Sequence, residues 1–210
     1  MPATLALTFD DGPNPDATPQ ILALLEAHGA QATFFVWGER AREHPGVVRE
    51  IHDAGHTVAP HCFEHVSHWS RTREQIAADI DSVTALLGEI GVHPAKLWRP
   101  PYGQLLRGAS REVAADRGLE LAGWTINPHD YAGHDAAEML AGLRGALPAQ
   151  GQAVLLLHDG HREPHARKRR PDAGNTVALV RMLLADAELR FASMAGGLEG
   201  SLVEGPPTDL

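Results

Sequence analysis

Two adjacent carboxylates close the run Thr8-Phe9-Asp10-Asp11-Gly12-Pro13. Carboxylates this close repel, so a cation or a nearby arginine is needed to keep both ionised. Neighbours on a strand point to opposite faces, so both aspartates can serve one site only where the strand ends. Gly12 permits that ending. Asp-Asp-Gly-Pro is also ordinary turn chemistry, and the cluster alone leaves both readings open. Further on stands His61-Cys62-Phe63-Glu64-His65. Histidines four apart face the same way on one helical turn, a geometry for two imidazoles on one metal. Asp11 would add a carboxylate and leave positions open for water and substrate. A metal so placed polarises a carbonyl and acidifies water. Two surface histidines are the alternative reading, and His68 is read as supporting or exposed.

The same segment spells His-x-x-Glu-His, a pattern of inverted zinc peptidases in which Glu64 would be the base. That pattern requires a long helix. Here Pro60 and a strand-like run precede His61, and the peptidase reading leaves Asp10 and Asp11 without a role.

Three more clusters carry polar chemistry. In Arg99-Pro100-Pro101-Tyr102-Gly103 the prolines fix an extended path, Gly103 permits a sharp turn, and Arg99 can pair with a carboxylate. A rigid connector with an exposed arginine is equally consistent. The segment Trp124–Tyr131 supplies Asn127, Asp130 and Tyr131. In Val154-Leu155-Leu156-Leu157-His158-Asp159, alternation puts Val154, Leu156 and His158 on one face. A histidine ending a buried strand is a candidate acid or base once a carboxylate or burial tunes it.

These clusters need elements to hold them. Strand-like runs are Thr4–Phe9, Ala32–Val36, His56–Ala59, Lys96–Trp98, Leu119–Thr125, Ala153–Leu157 and Arg190–Ser193. Helical periodicity marks Pro19–His28, Val47–Ala54, Arg73–Ile90, Arg107–Arg117, Ala136–Leu147 and Thr176–Ala187. Gly29, Gly55, Gly91 and Gly118 stand where helix ends are expected, and Asp135 where an N-cap is expected. Alternating strands and helices predict an α/β fold with a parallel sheet, and seven strands suit a closed or partly closed barrel. Chemistry in such barrels gathers at the C-terminal ends of strands, which is where all five clusters fall. The longest irregular stretch, Asp159–Asn175, holds His161, His165 and the basic run Arg167–Arg170, read as a solvated loop.

With 210 residues and 43% hydrophobic content the chain can bury one sizeable core, and residues 1–210 are expected to form a single domain. A formal net charge of −9 argues against nucleic acid as partner. Cys62 is the only cysteine, so no intramolecular disulfide forms. Thirteen histidines make metal binding worth testing position by position. The chain as given shows no signal peptide and no membrane-length apolar run. A cytoplasmic or, after signal removal, secreted monomer is expected.

Taken in order, Thr-Phe-Asp-Asp-Gly, Arg-Pro-Pro-Tyr-Gly and the Leu-x-His strand end resemble the polysaccharide deacetylases of carbohydrate esterase family 4, the nodulation-deacetylase homology domain. The resemblance runs from about Thr4 to Ser193. It implies a distorted (β/α)7-type barrel, parallel strands with outer helices, and one divalent metal ion: zinc, with cobalt or nickel as alternatives. It implies Asp11, His61 and His65 as metal ligands and Asp10 as the general base. Arg99 would orient Asp10, and the backbone N–H of Tyr102 would help stabilise the oxyanion. His158 would protonate the leaving amine, Asp130 would hold and tune His158, and Leu156 and Tyr131 would line the acetyl pocket.

The implied reaction is removal of acetyl groups from N-acetylglucosamine units in chitin oligomers, peptidoglycan or a related glycan. An acetylxylan O-deacetylase, a small-amide hydrolase and a non-catalytic carbohydrate-binding homologue are the alternatives. Three positions depart from the family pattern. Cys62 replaces a Ser or Thr that normally braces the histidine loop, Asn127 replaces an Asp, and Tyr131 stands in for a Trp.

Overall fold

The computed structural model of the chain describes residues 4–105, 107–148, 151–160 and 173–194. The basic run, His161 and His165 lie outside the described residues. Seven strands are present: β1 (Thr4–Asp10), β2 (Thr33–Trp37), β3 (Thr57–Cys62), β4 (Leu97–Trp98), β5 (Glu120–Leu121), β6 (Gln152–His158) and β7 (Arg190–Ala192). Among the described residues the helices are α1 (Thr18–Ala27), α2 (Gly38–Glu43), α3 (Pro45–Asp53), α4 (Arg73–Ile90), α5 (Gly108–Arg117), α6 (Ala136–Ala146) and α7 (Ala173–Leu184). All seven expected strands and six expected helices appear near their sequence positions. The short α2 is additional, and its few residues bury only Gly38 and Ala41, too little for a periodic signal. No helix among the described residues is long and apolar enough to cross a membrane.

The strands pair in parallel in the order β3-β2-β1-β6. β6 covers one edge of β1 from Thr4 to Asp10. The other edge is shared: β7 pairs with Thr4–Ala6 and β2 with Thr8–Asp10. β4 pairs with β5, and single hydrogen bonds complete the ring. Ala95 N–H donates to the Val58 carbonyl at 2.8 Å, Thr125 N–H to Val154 at 2.8 Å and Leu156 N–H to Ile126 at 2.9 Å. The barrel is therefore closed but irregular.

Its two faces divide the core. On β1, Leu5, Leu7 and Phe9 face outward and pack with Ile21, Leu25 and the other helix residues. Ala6 faces inward with Phe35, Ala59, Ala122, Trp124, Val154, Leu156 and Met194. Strands buried on both faces explain why the runs read as nearly continuous apolar sequence. Thr72 and Gln75 form a capping box that starts α4, and left-handed Gly91 ends it. Asp135 and Glu138 start α6 in the same way.

Two strands differ from expectation, each for a local reason. β5 shrinks to two residues, and the carbonyls of Ala122 and Gly123 just beyond it accept hydrogen bonds from Arg99 at 3.2 and 2.8 Å. β3 runs on through Pro60 and His61 to Cys62. Its ladder to β2 skips a residue there, with Val36 opposite Pro60 and Trp37 opposite Cys62. Pro60 has no N–H to donate, and a bulge at this point re-aims the side chain beside it.

Candidate active site

That bulge corrects the expected helical turn. His61 lies on the end of β3, and His65 lies in the loop after it. The two imidazoles approach because the chain folds back, with ring centroids 5.3 Å apart. The peptidase pattern has no helix to stand on.

Asp11 is brought to them by its own backbone. β1 ends at Asp10, and Asp11 adopts a left-handed conformation with φ 68°. Asp is among the few residues that tolerate this region. Gly12 follows because a Cβ there would collide with the carboxylate of Asp159, so its small size matters more than its flexibility. Asp10 and Asp11 thus leave one strand end in different directions, as two roles require.

Asp11 Oδ1 stands 3.2 Å from Nε2 of His61 and 3.1 Å from Nε2 of His65. All three side chains are buried. His61 Nδ1 donates to the Arg99 carbonyl oxygen at 2.6 Å, so neutral His61 turns a lone pair on Nε2 toward the carboxylate. Asp11 Oδ1 meets neither imidazole along a hydrogen-bond direction. Two acceptors facing each other in a buried place repel unless a cation lies between them. The three donor atoms fall within 4.8 Å of one another, and two imidazoles with one carboxylate form an open donor set suited to a divalent transition metal. Burial pushes the Asp11 carboxyl up, but positive charge on protonated His65 and His61 outweighs it and holds the carboxyl well below the ordinary range. A ligand carboxylate needs that ionised state.

Asp10 has a separate partner. Arg99 is fully buried, and its Nη1 donates to Asp10 Oδ1 and to Thr8 Oγ1, each at 2.8 Å. Burial lowers the Arg99 pKa, with Asp10 opposing that shift. The guanidinium also lies over the Phe35 ring at 4.2 Å.

On the other side, His158 Nδ1 lies 2.8 Å from Asp130 Oδ1, and Asp130 Oδ2 accepts the His158 N–H at 2.7 Å and the Thr176 hydroxyl at 2.9 Å. Burial disfavours a charged His158, but the Asp130 carboxylate prevails and its pKa rises to about 9. His158 is therefore cationic at neutral pH and can give up a proton. Tyr131 sets its ring edge-on to His158 at 5.3 Å, and its hydroxyl is hydrogen-bonded to His129 Nδ1 at 2.7 Å. Leu156 is buried in the inner core, one strand alternation below His158. The Tyr102 ring stands edge-on to His65 at 4.7 Å, and its backbone is left-handed at φ 57°. At Gly103 a Cβ would collide with Trp124, which fixes the glycine after it.

Two residues are added to those read from sequence. Asp79 on α4 accepts the backbone N–H of Phe63 at 2.7 Å and of Glu64 at 3.0 Å, and pairs with Arg71 at 2.9 Å. It braces the loop between the two histidines, the task a hydroxyl at position 62 was expected to perform. Its signal was a carboxylate inside the buried stripe Ile76, Ile80, Val83, Leu87 of α4. Asp159 is buried, accepts the Thr18 hydroxyl at 2.6 Å, and burial pushes its pKa up to about 7. His68 is buried rather than exposed, bonded to Ser110 Oγ at 2.8 Å and packed against Trp98.

The chain is similar to known proteins over most of its length. The family model for polysaccharide deacetylase matches residues 2–122. A peptidoglycan-N-acetylglucosamine deacetylase of Listeria monocytogenes is 32% identical over 163 residues, which cover 75% of this chain and 33% of that protein. The chain thus spans about a third of the length of that relative. A chitooligosaccharide deacetylase of Azorhizobium caulinodans is 32% identical over 164 residues, covering 75% of this chain and 74% of the relative. Among solved structures, a family 4 carbohydrate esterase from Streptomyces lividans in complex with acetate superposes with a TM-score of 0.74 at 29% identity, covering 90% of this chain and 91% of that one.

Proposed function

The chain belongs to the polysaccharide deacetylase family, and on that premise we propose that it hydrolyses the acetamide of N-acetylglucosamine units in a glycan. The relatives' activities, toward peptidoglycan and chitooligosaccharides, support this substrate class. The observation that carries the reading is the sorting of two adjacent carboxylates, with Asp11 turned to His61 and His65 and Asp10 to Arg99. Residues 1–210 are read as a single catalytic domain acting as a monomer.

In this reading Asp11, His61 and His65 hold a divalent ion, zinc by preference, with cobalt or nickel as alternatives. Such an ion supplies Lewis-acid polarisation of the acetyl carbonyl and acidifies the attacking water. Asp10 would take a proton from the attacking water, and Arg99 holds its carboxylate in place. A C–O bond forms at the carbonyl carbon. The Tyr102 N–H donates to the resulting oxyanion. His158 gives its proton to the sugar nitrogen as the C–N bond breaks, leaving acetate and a free amine. Asp130 accepts from His158 Nδ1, so the proton that leaves is the one on Nε2. Leu156 and Tyr131 form the walls of the acetyl pocket.

The test is acetate release from chitin oligomers, peptidoglycan and acetylxylan with zinc, cobalt and nickel in turn. Release from the first two is expected, and release from acetylxylan alone would replace the amide reading with an ester one. Asp10→Asn should bind metal and not turn over, and full activity in that variant would remove Asp10 from the base role.

A further inference from the structure

Trp69 is 71% exposed, well beyond Tyr102 at 38%, and the deacetylation chemistry does not use it. Single exposed apolar residues are common on protein surfaces and by themselves mean little. Trp69 differs in how firmly it is mounted. It sits in a 3-10 turn, His68–Ser70, within the connection that follows β3. Ser67 Oγ accepts the Trp69 N–H at 3.3 Å, and the Ser70 hydroxyl donates to the Ser67 carbonyl at 2.8 Å. Gln104 accepts the His68 N–H at 2.7 Å and donates to Ser67 Oγ at 2.8 Å. The Arg107 guanidinium lies 5.2 Å from the indole centroid, and its Nη2 donates to the Arg71 carbonyl at 2.8 Å. One indole face is thus backed by a cation while most of the ring stays open to solvent.

The mount is also continuous with the site. Gln104 stands two residues after Tyr102, whose ring touches the metal-ligand candidate His65. The loops after β3 and β4 both leave the C-terminal end of the barrel, where Asp11, His61 and His65 meet. A nearby cavity of about 470 Å³ is lined by Phe63, Glu64, Arg71 and Asp79, but its charges are spent on each other through the Arg71 pairs with Glu64 and Asp79. The indole is the most exposed large apolar side chain among the described residues.

We propose that Trp69 forms a flanking sugar subsite, its open face stacking on a pyranose ring neighbouring the one that is deacetylated. This rests on the glycan reading above. A pyranose offers an apolar C–H face, and a rigid tryptophan supplies large contact area at low entropic cost. Anchors of this kind carry a large share of binding energy, on the order of tenfold in affinity or more.

The experiment compares Trp69→Ala, Trp69→Tyr and the wild type on N-acetylglucosamine oligomers from dimer to hexamer. In the wild type, kcat/KM should rise with length. Trp69→Ala should cut the hexamer-to-dimer ratio by about tenfold, and Trp69→Tyr should retain most of it. In an Asp10→Asn background, which removes turnover, calorimetry should show hexamer affinity about tenfold weaker with Trp69→Ala. An equal loss at every length, or an unchanged length profile and affinity, would overturn the subsite. Acetate release with no length dependence in the wild type would remove the subsite and spare the hydrolase. Trp69-dependent binding without any release would do the reverse.

Discussion

His61 and Arg99 are joined through the main chain: Nδ1 of His61 donates to the Arg99 carbonyl at 2.6 Å, while the Arg99 side chain donates to Asp10 at 2.8 Å. One buried residue therefore sets the tautomer of a metal-ligand candidate with its backbone and the orientation of the proposed base with its guanidinium. Ligand and base cannot shift independently.

Arg99→Ala should be costly in both stability and turnover. It leaves the Asp10 charge buried without its partner, a loss of about 3–5 kcal/mol. Arg99→Lys should rescue little, because an ammonium cannot reach Thr8, Asp10, Ala122 and Gly123 together. Denaturant unfolding alongside acetate release would show it. Wild-type stability in the lysine variant would mean the fork geometry is dispensable.

Chelation should stop acetate release, and added divalent metal should restore it. Metal should also stabilise the fold, by about 2.7 kcal/mol at a hundred times its Kd. Asp11→Asn should weaken metal binding by more than the roughly 10–100-fold typical of residues behind the ligands. Calorimetric titration separates this from turnover. Undiminished affinity would place the ion elsewhere.

The His158 imidazolium should titrate near pH 9 in the metal-free protein because Asp130 stabilises its charge. Asp130→Asn should bring the value down toward the ordinary 6.5 and move the alkaline limb of kcat/KM the same way. The raised folded pKa also makes a stability contribution. It is complete below pH 6.5, fades as pH rises, and is gone above about 9. NMR titration with pH-dependent unfolding checks both, and an unmoved His158 in the variant would dissociate the pair.

Asp79→Ala should loosen the loop between the two histidines. Metal affinity should fall about 10–100-fold although Asp79 touches no ligand side chain. Asp79→Asn should keep part of the bracing, since an amide oxygen still accepts a backbone N–H. Equal metal affinity in all three proteins would reduce Asp79 to an ion-pair partner of Arg71.

Much of this was legible in the sequence, and the exceptions have physical causes. Short apolar runs mark the strands, because burial on both barrel faces leaves a dense apolar signal, and helical periodicity with caps marks the long helices. The clusters at strand ends mark Asp10, Asp11, His61, Arg99, Asp130 and His158 in the sequence itself. Spacing alone misassigned the histidine pair to a helical turn, since a bulge that depends on β2 lies beyond local pattern. β5 was read too long because its carbonyls are taken by a distant arginine. Asp79 and Asp159 carry little local signal, because Asp79 holds two backbone N–H groups and Arg71, and Asp159 a hydroxyl far away in the chain. Cys62, buried beside the site, keeps the loop without a hydroxyl because Asp79 supplies the bracing.

The inner barrel core has a consequence for how this fold can diversify. It is small, and Thr8, Asp10 and Arg99 complete it at the catalytic end. Any change to the residues at this end is then also a change to buried packing, so variation there should cost stability whatever its chemical merit. Trp69 and Tyr131 stand on connecting segments that carry little of the core. New substrate range should arise by drift at that rim, and variant libraries confined to it should yield folded proteins at far higher frequency than libraries aimed at the floor.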